Sequence, residues 1–441
     1  MDLENLFLSL GYTKEEYNQI INTHSLGTFK KETLYNKVIE NHNFLLSLGY
    51  TREEVIKMTK TLPTLYAYSI KNMEQKILDM MSLGYTREEV LKMAKTLPAL
   101  YGLGIENIKQ KILDIMLLGY TKEEVIKMTK ILPPIYGYSI ENMKQKILDM
   151  ISLGYSKEEV IRMTKVQPSI YSLGIENIKQ KILDIISLGY TKEEVIKMTK
   201  TLPTLYGHSI ENMKQKIEDM ISLGYSKEEV IRTTKVQPSI YSLGIENIKQ
   251  KILDMISLGY SKEEVLKITK NFHSIYSYSI ENIKQKIEDI MSLGYTREEV
   301  IRMTKVHPSI YGLSIENMKQ KIEDIISLGY TREEVIRMTK VLPSIYGLSI
   351  ENIKQKITFY DSIDMHELAI VNPMLLMQSV DLSYARYVFY REMGIEISMN
   401  NYRSLFINNK EFEKRYGITK KELLEKYNYK RFMEEQKNKT I

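Results

Sequence analysis

The chain has 441 residues, a formal net charge of +6 and no cysteine. The missing cysteines exclude a disulfide framework and any cysteine-ligated zinc site, and they suit a reducing interior. No apolar run approaches the roughly 20 residues that a membrane span needs, and the opening MDLENLFLSLGYTKEE is neither basic nor Arg/Ser-rich, so no membrane partner, secretory signal or transit peptide is expected. A pI of about 8.8 is compatible with a nucleic-acid partner but does not by itself identify one.

Residues 1–48 read as one worn structural unit. Leu10-Gly11-Tyr12 opens it, and the next Gly-Tyr, at Gly49, follows 38 residues after Gly11. From there the chain repeats almost word for word every 35 residues. Gly49, Gly84, Gly119, Gly154, Gly189, Gly224, Gly259, Gly294 and Gly329 are each followed by Tyr, and nine tandem units fill residues 49–363. A period in this range signals a solenoid, in which each unit buries its apolar face only against its neighbours and a worn terminal unit serves as a cap.

Positions within a repeat are numbered from its Gly. Thr or Ser at position 3 and Glu at position 6 (Thr51 with Glu54, Ser156 with Glu159) form a capping box that starts a helix of about ten residues. Val55, Ile56, Met58 and Leu62 supply its apolar side. Position 15 is proline in eight repeats, Pro63, Pro98, Pro133, Pro168, Pro203, Pro238, Pro308 and Pro343; only His273 departs. Proline disfavours helix at the residue before it, so the first helix ends at position 13 or 14. Pro63 to Ala67 then forms one tight turn of helix, because proline is favoured in a first turn. Ser or Gly at position 21 caps a second long helix whose stripe Ile140, Met143, Ile147, Met150 and Ile151 faces the stack, and the next repeat's Gly ends it. The many Met and Tyr residues read as core filler. Tyr at position 18 (Tyr66, Tyr101, Tyr136) reads as a packing residue with a bonded hydroxyl.

Beyond the array, residues 364–394 form a shortened unit. Pro373 and Ser379 keep their places, and the first helix loses about five residues. Residues 395–441 read as a terminal cap helix, with a capping box at Thr419 and Glu422, followed by a basic tail.

Two features of the array suggest a binding surface. Variation concentrates at positions 13, 14, 16 and 19–21, and the pair at 13 and 14, at the end of the first helix, reads Thr61-Leu62, Thr96-Leu97, Ile131-Leu132, Val166-Gln167, Thr201-Leu202, Val236-Gln237, Asn271-Phe272, Val306-His307 and Val341-Leu342. A fixed scaffold with one variable spot per unit is the pattern of a modular reader. The competing explanation is drift at a solvent-exposed helix end, and Leu at position 14 in five repeats points to partial burial. Positions 9 and 12 are basic throughout: Lys57 and Lys60, Lys92 and Lys95, Lys127 and Lys130, Arg162 and Lys165, Lys197 and Lys200, Arg232 and Lys235, Lys267 and Lys270, Arg302 and Lys305, Arg337 and Lys340. Stacked, they would form a basic ridge beside the variable pair, suited to a polyanion with a regular phosphate repeat. The alternative is a solvated face balanced by the Glu residues at positions 5 and 6, with helix dipoles satisfied at both ends.

No catalytic motif is present: no HExxH, no phosphate-binding glycine loop, no dinucleotide fingerprint and no nucleophile elbow. The six histidines, His24, His42, His208, His273, His307 and His366, occupy unrelated positions, and only Asp361, Asp364, His366 and Glu367 cluster with ligand-like chemistry, too thinly to expect a metal. No cofactor, catalysis or small-molecule substrate is expected.

The unit LGYTKEEVIKMTKTLPTLYGYSIENMKQKIL, with its prolines in register, resembles the repeat of the mitochondrial transcription termination factor (mTERF) family. That resemblance implies a helix–3₁₀ turn–helix unit and a superhelix that cradles duplex DNA or RNA along a basic groove. It departs from the family in having near-identical units, no clear organelle leader and His273 in place of one proline, which suggests a microbial relative. A second resemblance is to transcription activator-like effector repeats: counted from Tyr50, Thr61-Leu62 falls where that family's base-reading dipeptide lies, while the second halves of the units differ.

The expectation is an all-α, right-handed solenoid that works as a monomer inside a microbial cell, in cytoplasm or nucleoid, with translocation into a host left open. It would bind double-stranded DNA, with RNA as second choice, in transcription control. Gln167 and Gln237 would suit an adenine edge, and Leu or Val the thymine methyl. The rival expectation is a protein-interaction scaffold that holds a partner in its concave face.

Overall fold

The structure, a computed structural model, describes residues 2–23, 26 and 28–429. Helix is the only regular structure among them, arranged as an all-α solenoid of helix–3₁₀–helix repeats. Repeat 1 shows the pattern with a first helix Arg52–Thr61, a 3₁₀ turn Pro63–Ala67 and a second helix Ile70–Ser82. Thr51 Oγ1 accepts the Glu54 amide while the Glu54 carboxylate accepts the Thr51 amide, so two orphan donors of the helix start are satisfied reciprocally. At Leu62 the backbone leaves helical space (φ −137°, ψ 86°), because the proline ring that follows crowds the α conformation. The repeat glycines sit between helices at φ of 99° to 119°, where a Cβ would be strained.

His273 shows that the turn survives without proline. The 3₁₀ helix His273–Ser277 still forms, and the imidazole Nδ1 bonds the Thr269 carbonyl at 2.7 Å, capping the end of the first helix by another route.

The chain forms two compact units: Met1–Ile217 with Thr234–Tyr241, and Glu218–Thr233 with Ser242–Ile441. In both, one buried hydroxyl cluster recurs between successive repeats. In the first, Tyr85 at position 2 bonds Thr129 Oγ1 at 2.6 Å and Tyr136 Oη at 2.5 Å, which are positions 11 and 18 of the following repeat. Tyr120 with Thr164 and Tyr171, Tyr155 with Thr199 and Tyr206, and Tyr190 with Thr234 and Tyr241 repeat it. In the second unit Tyr225, Tyr260 and Tyr295 do the same. Where repeat 2 has Ala94 instead of Thr, Tyr50 donates to the Leu91 carbonyl and still reaches Tyr101. Burial raises these phenols above their ordinary value of 10, Tyr101 to about 12, so they remain neutral donors. Position 18 is therefore a packing residue with a bonded hydroxyl, as its place in the unit suggests.

A second tie was not legible in the sequence. Lys at position 28 folds into the stack and donates to a carbonyl at the end of the next repeat's 3₁₀ turn: Lys111 to Tyr138 O at 2.6 Å, Lys181 to His208 O at 2.7 Å, Lys286 to Leu313 O and Lys321 to Leu348 O at 2.6 Å. Lys146 and Lys251 make the same contact, Lys356 reaches Leu376 O within the turn of the shortened unit instead, and burial lowers the pKa of all three. Before the array Asn41 fills this place, donating to Tyr66 O and Tyr68 O at 2.6 and 3.0 Å.

One residue of the expected second-helix stripe is displaced. Met143, Ile147 and Met150 are buried, but Ile151 is 38% exposed because Lys146 takes the inner place that a strict apolar stripe would give it.

The chain ends differ in detail from expectation. Residues 2–47 contain helices Leu3–Ser9, Lys14–Ile21 and Lys31–Ser47, the second with its own capping box at Thr13 and Glu16. The shortened unit keeps only a four-residue first helix, Leu368–Val371, then the turn Pro373–Met377 and the helix Val380–Glu392. A further half-unit, which the sequence conceals, follows: a 3₁₀ turn Tyr402–Phe406 and a helix Asn409–Tyr416. Arg386, in the register of position 28, donates to Leu405 O at 2.8 Å and keeps the clamp. The expected single cap helix is two, since Gly417 at φ 69° stops one before the Thr419–Glu422 box starts Lys420–Lys426. The expected basic tail, residues 430–441, and His24 lie outside the described residues.

Two stability outcomes follow. Thr233 occupies position 10, where the other repeats carry Met or Ile, and its buried hydroxyl has no partner among the described residues. Thr233→Met should stabilise by about 1–2 kcal/mol, read as slower amide exchange in the helix Lys227–Val236. Tyr155→Phe should cost about 1–3 kcal/mol by removing the hydroxyl that Thr199 and Tyr206 share. Unchanged protection of the helix Lys192–Thr201 would contradict that.

Candidate nucleic-acid interface

The exposed face of each first helix carries positions 5, 9 and 13, with position 12 at its edge, exposed in Lys60 and Lys95 and half-buried in the other repeats, because the buried residues Val55, Met58 and Thr59, at positions 7, 10 and 11, turn the other way. The two basic positions fare differently. Position 12 is tied into the stack, with each lysine pairing with the capping-box glutamate of the preceding unit. In the first compact unit Lys60 meets Glu16 and Lys95 meets Glu54 at 2.6 Å; Lys130 meets Glu89 at 2.6 Å, Lys165 meets Glu124 at 2.5 Å, Lys200 meets Glu159 at 2.8 Å and Lys235 meets Glu194 at 2.5 Å. In the second, Lys270, Lys305 and Lys340 meet Glu229, Glu264 and Glu299 at 2.7–3.0 Å. Several of these ammoniums also lie over the ring of the tyrosine at position 2, as Lys95 over Tyr50 at 5.6 Å and Lys130 over Tyr85 at 5.7 Å. The ridge imagined from the sequence is therefore half neutralised.

Position 9 stays free. Lys57, Lys92, Lys127, Arg162, Lys197, Arg232, Lys267, Arg302 and Arg337 are all exposed, and among the described residues none has a carboxylate within ion-pair distance. Position 13 lies one helical turn further on the same face, and all nine residues there are exposed; Ile131, Val166, Val236, Val306 and Val341 are 58–71% open. Position 14 turns inward instead, as the helix C-cap. Leu62, Leu97, Leu132 and Leu202 are half-buried and Leu342 is buried, Gln167 donates to Ser169 Oγ at 2.6 Å in its own turn, and Phe272 stacks on Tyr278 with centroids 6.1 Å apart. Gln237 and His307 are half-buried at the same point. The structure thus keeps positions 9 and 13 on one open face and removes position 14 from it.

In repeat 8 this face borders a cleft of about 460 Å³ lined by Arg297, Glu298, Ile301, Arg302, Lys305 and the Leu258-Gly259 pair. Arg297 sits at position 4, which is basic in every repeat and was readable at the same period as positions 9 and 12. At the array end, His366 stacks on Tyr330 (4.2 Å) and bonds Asp361 at 2.6 Å, so its ring serves packing. Among the described residues no three His, Asp or Glu side chains converge as a metal site would require, and no helix is long and apolar enough to cross a membrane.

The mTERF family model matches residues 3–153, 147–223 and 281–413, which together make up most of the chain. The chain belongs to the mTERF family. Its repeats are therefore those of a nucleic-acid-binding family of helical-repeat scaffolds. A comparison with curated proteins finds no match.

The paired glutamates give a pH signature. The lysine at position 12 holds the Glu54, Glu89 and Glu124 carboxyls below their ordinary value of 4.5. A depressed carboxylate contributes stability that is complete above the unfolded value and lost as pH falls through the folded one. Thermal stability should therefore drop on acidification below 4.5. Replacing Lys130, Lys165 and Lys200 by Ala should make that drop smaller, measured by melting at pH 6 and at about pH 3.

Proposed function

We propose that this mTERF-family chain binds duplex nucleic acid, DNA in preference to RNA, through the open face of its first helices, and acts in transcription control by occupying a site without catalysis. One observation carries the reading: in nine repeats an exposed, unpaired Lys or Arg at position 9 lies one helical turn from an exposed, variable residue at position 13. A cation at fixed spacing suits phosphates, which set register, and a side chain that differs between units suits base edges, which set sequence. The apolar Ile131, Val166, Val236, Val306 and Val341 fit thymine methyl groups, and Asn271 fits an adenine edge. The lysines at position 12 add positive potential near the strand while holding the stack together.

Selection of bound molecules from random pools of duplex DNA, duplex RNA and single strands at about 150 mM salt tests this. Enrichment of duplex DNA with a motif stepping in register with the repeats is expected. Retention of none of the pools would transfer the function to a protein partner. Replacing Lys127, Arg162 and Lys197 by Ala should weaken binding on all sequences and flatten the salt slope by about 3. The same change at Lys130, Lys165 and Lys200 should flatten it less, since those ammoniums already hold carboxylates.

A further inference from the structure

The second helices present a different surface. Position 30 faces solvent: Leu78, Leu113, Leu148, Leu183 and Leu253 are 52–59% exposed. Repeats 5, 7 and 8 carry Glu218, Glu288 and Glu323 there, so packing does not require leucine. Position 34 is Ser in eight repeats; in Ser82, Ser152 and Ser187 the hydroxyl donates to the carbonyl of the Asp three residues earlier at 2.6 Å. Repeat 2 alone carries Leu117, which is 82% exposed.

These departures meet. Leu117 and Leu118 at the end of repeat 2 and Ile147, Leu148 and Ile151 of repeat 3 form the floor of one groove of about 340 Å³. Its rim is Lys144 and Lys157, and no carboxylate lines it. In repeats 2, 4 and 6 the counterparts of Lys144 are held by Glu106, Glu176 and Glu246 at 2.7–2.8 Å. Lys144 and Lys157 have no such partner among the described residues.

We propose that the groove between repeats 2 and 3 docks an amphipathic helix of a partner protein, with two or three large apolar side chains seated on Leu117 and Leu148 and acidic residues facing Lys144 and Lys157. An apolar floor with cationic edges is the complement of such a helix. A nucleic-acid duplex offers only isolated thymine methyls among polar base edges, with no continuous apolar face to cover the floor. A second copy docked through the same face would set lysine rims against each other, since a two-fold contact pairs a patch with itself.

The test uses the full chain and two synthetic helical peptides of about five turns with the same leucine stripe, one flanked by Glu and one by Lys. The Glu-flanked peptide should bind at least about 10-fold more tightly at about 150 mM salt. Leu117→Ser and Leu148→Glu, each installing a residue that other repeats already use, should weaken it about 10-fold. Leu253→Glu, at the same position in repeat 6, should leave it unchanged, and nucleic-acid retention should be the same in all variants. Failure of both peptides to bind, equal binding of the two, or indifference to Leu117→Ser and Leu148→Glu would overturn the proposal. So would binding of anionic vesicles that these variants abolish, which would reassign the groove to a lipid surface.

Discussion

The fold depends on a hydroxyl that each repeat lends to the next. Tyr at position 2 belongs by sequence to the start of one unit, yet its Oη completes the polar core of the following one, between Thr at position 11 and Tyr at position 18. A buried phenol without a partner is costly, and three hydroxyls that satisfy one another are not. The apolar residues around them, Val, Ile and Met on short helices, are interchangeable enough to pack in several registers. The hydroxyl cluster is not, because a slip of one helical turn would strand all three groups. Generic hydrophobic stacking thus acquires a single register.

Electrostatic ties reinforce that register at the surface. The capping-box glutamate uses one carboxylate oxygen on its own helix start and the other on the lysine of the unit that follows, as Glu54 does with Thr51 and Lys95. Exposed pairs of this kind contribute little singly, but each is built on a carboxylate already fixed by the cap, so little extra side-chain freedom is lost. The same arrangement explains why the chain can be rich in charge on its first helices without presenting a uniform field: of the cations at positions 9 and 12, the second is structural and the first open.

What the sequence disclosed follows from the range of the forces involved. Caps, the proline-led turn and the glycine between helices act over three or four residues, so Thr51, Glu54, Pro63 and Gly84 could be read directly. The core role of Tyr at position 18 was legible for the same reason, as an aromatic at a fixed place in an apolar unit. The ties between repeats span 27, 41, 44 and 51 residues (Lys111 to Tyr138, Lys95 to Glu54, Tyr85 to Thr129, Tyr85 to Tyr136). In near-identical repeats any lysine faces the same glutamate at every multiple of the period, and sequence alone cannot choose among them. Hence the split between positions 9 and 12, the inward turn of position 14 and the buried lysine at position 28 emerged only in three dimensions. The half-unit around Tyr402–Phe406 was hidden because it has lost both the proline and the first helix that mark the others.

Because the hydroxyl clusters, the lysine clamps and the Lys–Glu pairs inside the array each join a repeat to its immediate neighbour at a constant offset, an in-frame gain or loss of 35 residues there recreates each of these bonds with an equivalent partner. Copy number is then a heritable quantity that leaves the fold intact, extending or shortening the array in steps of a helix-packing distance, roughly 8–10 Å for each layer of helices. Departures such as Ala94, Leu117, Thr233 and His273 would travel with the units that bear them as markers of their order.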